Sequence, residues 1–132
     1  KIPAHDIMIT AESKGIPLIH EMCRLSGKNR YVLARKSVKL YMKDVLKCET
    51  KSITTGHVQT LYIDGDDADY IKGKRVLIVD DVISTGESLA AVRQLVNTAG
   101  GIEAASCSVL AEGDAADRSD IIYLEKLPLF FK

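Results

Sequence analysis

The stretch Val76-Leu77-Ile78-Val79-Asp80-Asp81-Val82-Ile83-Ser84-Thr85-Gly86-Glu87-Ser88 constrains the fold more than any other part of the sequence. Four consecutive apolar residues, with no polar alternation, predict a strand buried on both faces, as in a parallel sheet. Two adjacent carboxylates follow, then a short polar loop containing Gly86. Leu89, Val92, Leu95 and Val96 next recur at helical spacing up to Gly100-Gly101, predicting a helix over 85–99. A buried strand, a tight loop and a helix make up half of a βαβ unit. Ligands of open parallel sheets sit beyond the carboxyl ends of such strands, and loop-to-helix N–H groups hold anions.

The same alternation recurs along the chain. Asp6-Ile7-Met8-Ile9-Thr10 predicts a strand, and residues 15–25 a helix closed by Gly27. Tyr31-Val32-Leu33-Ala34, residues 74–80, 104–110 and 121–124 predict further strands. The expected class is therefore α/β with a central parallel sheet. The pattern weakens between Arg35 and Thr60, where a hairpin or a mobile loop is expected. Residues 60–64 predict a strand that runs into an acidic turn, Gly65-Asp66-Asp67, read as a solvated hairpin end because Ca²⁺-loop spacing is missing. A length of 132 residues fits one domain, 1–132.

Eighteen Lys and Arg balance eighteen Asp and Glu, which argues against a nucleic-acid polymer or a membrane surface as partner. The three cysteines, Cys23, Cys48 and Cys107, include no CxxC pair and suggest reduced thiols in the cytoplasm. No apolar run approaches the ~20 residues of a membrane span. The start, Lys1-Ile2-Pro3, has no Met and no signal pattern, which leaves open a natural N-terminal segment ahead of it.

Carboxylates touching a phosphate would repel it, so Asp80 and Asp81 suit hydroxyl groups or a phosphate-bound Mg²⁺ reached through water. The hydroxyls of Ser84, Thr85 and Ser88 add donors for the phosphate itself. A ribose 5-phosphate, with a diol at one end and a phosphate at the other, satisfies both halves. Residues 76–88 resemble the 13-residue motif by which type I phosphoribosyltransferases bind 5-phosphoribosyl 1-pyrophosphate (PRPP). The resemblance implies that Asp80 and Asp81 hold the ribose hydroxyls, with any metal held indirectly, and that Ser84, Thr85, Gly86, Glu87 and Ser88 surround the 5′-phosphate. Glu87 departs from the many relatives with Gly there, and must turn outward to be tolerated. Competing readings fare worse. A receiver domain needs most of its length after the acid pair, but only 51 residues remain, and neither a Walker A loop nor GxGxxG is present.

Thr10-Ala11-Glu12-Ser13-Lys14-Gly15 is a second polar loop between a strand and a helix. Alone it is an ordinary helix start; beside the PRPP motif it resembles the pyrophosphate loop of adenine-type purine enzymes. That resemblance assigns Ser13, Lys14 and Gly15 to pyrophosphate. Arg35 and Lys36 match the family's Arg-Lys pair and, with Lys39, suit a leaving group whose charge grows as its bond breaks. Lys43, Lys47 and Lys51 are better read as a solvated face. Residues 36–60 correspond to the family's mobile catalytic loop, which excludes water. There the family's acid falls near Thr55, so the proton-transfer residue has no clear candidate; His57 is either that group or a solvent-exposed side chain.

By this resemblance the chain has a type I phosphoribosyltransferase fold: a Rossmann-like central parallel sheet flanked by helices, with a small hood and a mobile loop. The implied reaction joins PRPP to a purine base with Mg²⁺, adenine favoured over hypoxanthine, guanine or xanthine. Asp80, Asp81 and Arg35 would be catalytic, and a cytoplasmic homodimer is the implied assembly. Val82 and Ile83 would pack on the base, and Leu127-Pro128-Leu129-Phe130-Phe131 would cover it or pack on a sheet edge or partner. The alternative is a non-catalytic PRPP-binding regulatory domain, whose DNA-binding part is not in these 132 residues. The zero net charge is then a cancellation. Residues 24–51 hold nine bases against two acids, and 64–87 seven acids against three bases.

Overall fold

In the computed structural model, which describes residues 2–12, 14–28, 30–51, 56, 58–83 and 86–127, the apolar runs form a five-stranded parallel sheet. Strands β1 (Ile7–Ala11), β2 (Val32–Ala34), β5 (Arg75–Ile83), β6 (Ile102–Glu112) and β7 (Ile122–Leu127) lie in the order β2-β1-β5-β6-β7. Helix α1 (Ile16–Leu25) follows β1, and α3 (Glu87–Thr98) follows β5. The expected central sheet and its helices are present.

Strand alternation sorts the core into two layers. Val76 and Ile78 join Ile7, Ile9 and the α3 residues Leu89 and Leu95 in one cluster. Leu77 and Val79 join Met8 and, from α1, Ile19 and Cys23 in the other. Both faces of β5 are therefore covered, which is why its sequence is a continuous apolar run.

Between β2 and β5 lie β3 (Leu46–Lys51) and β4 (Val58–Ile63), an antiparallel pair registered from Leu46 opposite Ile63 to Lys51 opposite Val58. Of the two alternatives for this weak region, a hairpin or a mobile loop, the paired strands fit the hairpin, with Cys48 and Leu61 buried against the α3 layer. A single bridge joins it to the main sheet: Arg35 N–H donates to the Tyr62 carbonyl at 2.7 Å, and Tyr62 N–H returns the bond at 2.8 Å.

The acidic turn is corrected. Residues Gly65–Ile71 form a helix, α2. Asp66 and Asp67 occupy its first turn, where the helix dipole favours acids, and Ile71 is fully buried beneath it. A Cβ at Gly65 would lie 2.7 Å from the Lys43 carbonyl, so the close approach of two backbones requires glycine there. After β6, Gly113–Asp117 makes one 3₁₀ turn. Among the described residues no helix is long and apolar enough to cross a membrane.

Candidate active site

The strand order reverses direction between β1 and β5. The chain leaves β1 toward β2 on one side and leaves β5 toward β6 on the other. Their carboxyl ends therefore diverge into a crevice, the place where open α/β sheets bind ligands. Both loops singled out in the sequence, after β1 and after β5, open onto it.

On the β5 side an open hollow of about 110 Å³ is lined by Asp80, Val82, Ile83, Gly86, Glu87 and Ser88. Asp80 Oδ1 accepts the Asp81 backbone N–H at 2.8 Å. Burial foremost, then a hydrogen bond with the Asp81 carboxyl, pushes the Asp80 carboxyl up to about 7, while the Asp81 N–H and the charge of Lys36 pull it down. The partly desolvated Asp80 carboxyl, beside a second carboxylate, is a group that a hydroxyl or cation ligand would relieve. Gly86 has φ +84°, the left-handed conformation that favours glycine, and the α3 amides begin immediately after it. Val82 is half-buried on the hollow, whereas Ile83 is also a core residue. Glu87, expected to turn outward, is half-buried within the lining.

On the β1 side the organiser is Glu12, an acid of the second loop to which the sequence assigned no role. Glu12 N–H donates to the Ala34 carbonyl at 2.9 Å. Its Oε1 accepts the Lys36 backbone N–H at 2.7 Å and lies 4.0 Å from Lys39 Nζ, and Oε2 lies 3.5 Å from Arg35 Nη1. The Lys36 N–H first, then Lys39 and Arg35, hold this carboxyl below its usual range against a desolvation penalty. One ionised side chain thereby gathers Arg35, Lys36 and Lys39 at the rim. Lys14 is exposed on the same loop, and Gly15 is buried where a Cβ would overlap Thr10 Oγ1. The hairpin reaches the β5 side through Gln59 Nε2, 3.4 Å from Ser88 Oγ.

Two strand ends thus place a cationic rim opposite a carboxylate-and-glycine hollow. Such a crevice can hold a ligand bearing anionic groups at both ends and hydroxyls between them. Among the described residues no three His, Cys, Asp or Glu converge on a point that would hold an ion. Ser13, Ser84, Thr85, Thr55, His57 and the run from Pro128 lie outside the described residues. Glu12 was legible as an acid in the quoted loop. The contact of Arg118 with Gly86 had no sequence signal, since only the tertiary fold brings 118 to 86.

The family model described as phosphoribosyl transferase domain matches residues 5–127. Hypoxanthine/guanine phosphoribosyltransferase of Ferroglobus placidus is 31% identical over 113 residues, 86% of this chain and 56% of that protein. Adenine phosphoribosyltransferase of Thermotoga petrophila is 37% identical over 107 residues, covering 81% and 59%. Among solved structures, adenine phosphoribosyltransferase from Thermoanaerobacter pseudethanolicus superposes with TM-score 0.78 at 28% identity, covering 94% of this chain and 72% of that one. The chain spans about half the length of the curated relatives it matches.

Proposed function

The chain belongs to the phosphoribosyl transferase domain family, and from that premise we propose that it transfers ribose 5-phosphate from PRPP to a purine base, with adenine preferred. The products are a nucleoside 5′-monophosphate and pyrophosphate. The observation that carries this reading is the switch-point crevice, with its Arg35-Lys36-Lys39 rim opposite the Asp80-Asp81 hollow. The adenine preference draws support from the similarity of fold to adenine enzymes. Curated relatives named for hypoxanthine and guanine support the other base assignment as the second reading.

In the proposed reaction the C1′–O bond to pyrophosphate breaks with its electron pair leaving on pyrophosphate, a base nitrogen bonds to C1′, and that nitrogen's proton passes to solvent or to the departing pyrophosphate. Arg35, Lys36 and Lys39, with Lys14 and the loop of Ser13 and Gly15, take the growing charge on pyrophosphate. Asp80 and Asp81 hold the ribose hydroxyls, and Ser84 to Ser88 hold the 5′-phosphate. Val82 and Ile83 face the base. Mg²⁺ entering on PRPP oxygens would neutralise charge on the leaving group, and Asp80 and Asp81 offer hard oxygens to its water shell. The assembly is proposed to be a homodimer, consistent with the consecutive exposed side chains Leu40 and Tyr41 beside the rim. Buried free thiols at Cys23, Cys48 and Cys107 suit cytoplasmic residence.

Incubation with PRPP, Mg²⁺ and each of adenine, hypoxanthine, guanine and xanthine is expected to release pyrophosphate fastest with adenine. Faster release with hypoxanthine or guanine selects the second reading. PRPP binding without release with any base overturns the transferase assignment in favour of a regulatory domain.

A further inference from the structure

A polar chain runs beside α3 that the proposed chemistry does not use. Ser106 Oγ donates to Glu103 Oε2 at 2.5 Å, and Arg93 Nε donates to the same carboxylate at 3.0 Å. Arg93 Nη1 donates to Asp120 Oδ2 at 2.8 Å. Asp120 in turn grips Arg118 in a bidentate fork, 2.8 Å from Nε and 2.6 Å from Nη2. Arg118 Nη1, at the end of this chain, lies against Gly86, where any Cβ would overlap it.

Two features show what this arrangement delivers. The formal charges of Arg118, Asp120, Arg93 and Glu103 sum to zero, so the Arg118 charge is partly neutralised by its Asp120 partner. Gly86 itself is left-handed and accepts the Ala90 N–H at 2.9 Å, so its placement sets the first turn of α3. A glycine at positive φ gives the backbone freedom, and the Arg118 Nη1 that fills the space a Cβ would take limits that freedom. The Asp120 carboxyl is held well below the usual range by Arg118 first and Arg93 second, so the clamp stays charged at any working pH.

We propose that Arg118 is a positioning residue for the anion-binding loop: clamped by Asp120, it packs on the bare face of Gly86 and fixes the backbone that receives the ligand's phosphate. The phosphate assignment rests on the function proposed above; the hold on Gly86 does not.

The test is Arg118→Met in the full chain, read two ways. Exchange of the Ala90 amide, bonded to Gly86, is expected to quicken about tenfold relative to core amides of β5. Ribose 5-phosphate affinity is expected to fall about tenfold while inorganic pyrophosphate affinity stays within about twofold, because the contact touches only one end of the crevice. Arg118→Lys keeps the charge without the planar fork and is expected to recover only part of the loss. Unchanged Ala90 exchange, equal weakening of both ligands, or full recovery by lysine each overturns the proposal. Should Arg118→Met not fold, Asp120→Asn loosens the same clamp and is expected to quicken Ala90 in the same sense. A wild-type chain that binds no ribose 5-phosphate removes the phosphate reading, and the exchange arm alone then decides whether Arg118 holds Gly86.

Discussion

The β1–α1 and β5–α3 units are built alike, each a buried strand, a short loop and a helix, yet their acids are in opposite states. Glu12 is already partnered within the protein: it accepts the Lys36 N–H, Arg35 and Lys39 lie 3.5 and 4.0 Å away, and its proton affinity is lowered. Asp80 has its neighbour Asp81 for company, and burial raises it toward neutrality. An acid already paired organises the protein, whereas a pair left partly desolvated keeps binding capacity for a ligand. The same supersecondary device thus serves as scaffold on one side of the crevice and, in the proposed function, as receptor on the other.

The largest effect is expected where the receptor side is broken. Asp80→Asn with Asp81→Asn should weaken PRPP binding by more than about a hundredfold, measured by calorimetry, since two charge-assisted contacts are removed. Retained binding would mean the ribose lies elsewhere. The same site gives a stability prediction of opposite sign. A carboxyl raised in the folded state keeps its proton longer than in the unfolded chain, so stability falls as pH rises from the reference value of 3.8 to about 7. Asp80→Asn alone should therefore match wild type below about pH 4 and be more stable by about 1–2 kcal/mol above pH 7, after discounting for solvent screening. Denaturant titrations at the two pH values check it, and a variant less stable at high pH contradicts the burial argument.

Next in size is a break in the scaffold side that leaves its charges in place. Gly15→Ala forces a methyl onto Thr10 Oγ1 at the end of β1, where Thr10 is fully buried. Overpacking of this kind should cost about 1–3 kcal/mol in unfolding experiments. Adding Thr10→Ala removes the opposing hydroxyl and should restore at least about half of the loss by the logic of a double-mutant cycle. No restoration would place the cost in the loop backbone instead.

Why these units were legible, and others were not, follows from their patterns. The β5 run and the α3 stripe Leu89, Val92, Leu95 and Val96 are periodic because two layers pack on them. The β3–β4 hairpin buries only Cys48 of one arm and Leu61 and Ile63 of the other, while Lys47, Glu49 and Lys51 face solvent, so its period-two signal is faint. Helix α2 was hidden by composition. Asp64-Gly65-Asp66-Asp67 has turn chemistry, and only packing of Ile71 and the Lys43 contact at Gly65 make it helical. In the site, the acid pair and the basic pair were readable as local motifs. The Glu12 hub and the Arg118 contact join residues 24 and 32 positions apart or span separate strands, and no local pattern records such meetings.

A smaller effect tests whether Glu12 works by position or by charge. Glu12→Ala removes the acceptor of the Lys36 N–H and should weaken pyrophosphate binding about tenfold by freeing the rim. Glu12→Gln keeps an acceptor at that place and should stay within about threefold, because its lost ion pairs are long and partly exposed. Equal losses in both variants would shift the role from placement to charge, and would erase much of the contrast between the two units.

The smallest effect concerns Glu87, the acid of the first turn of α3 that lines the hollow proposed to hold the phosphate. At the first turn of α3 it gains from the helix dipole, worth about 0.3–1 kcal/mol, but it opposes any phosphate in the hollow. At an effective dielectric near that of the surface, a like charge several ångströms away costs a comparable amount, so the two terms nearly cancel and the sign depends on where the carboxylate lies. Its place in the lining of the hollow favours the repulsive term. Glu87→Gln should therefore tighten ribose 5-phosphate binding about threefold at low salt, with the gain vanishing near 1 M salt as screening shortens to about 3 Å. Weaker binding in the variant would show instead that the carboxylate serves α3 and leaves the phosphate to the amides behind Gly86.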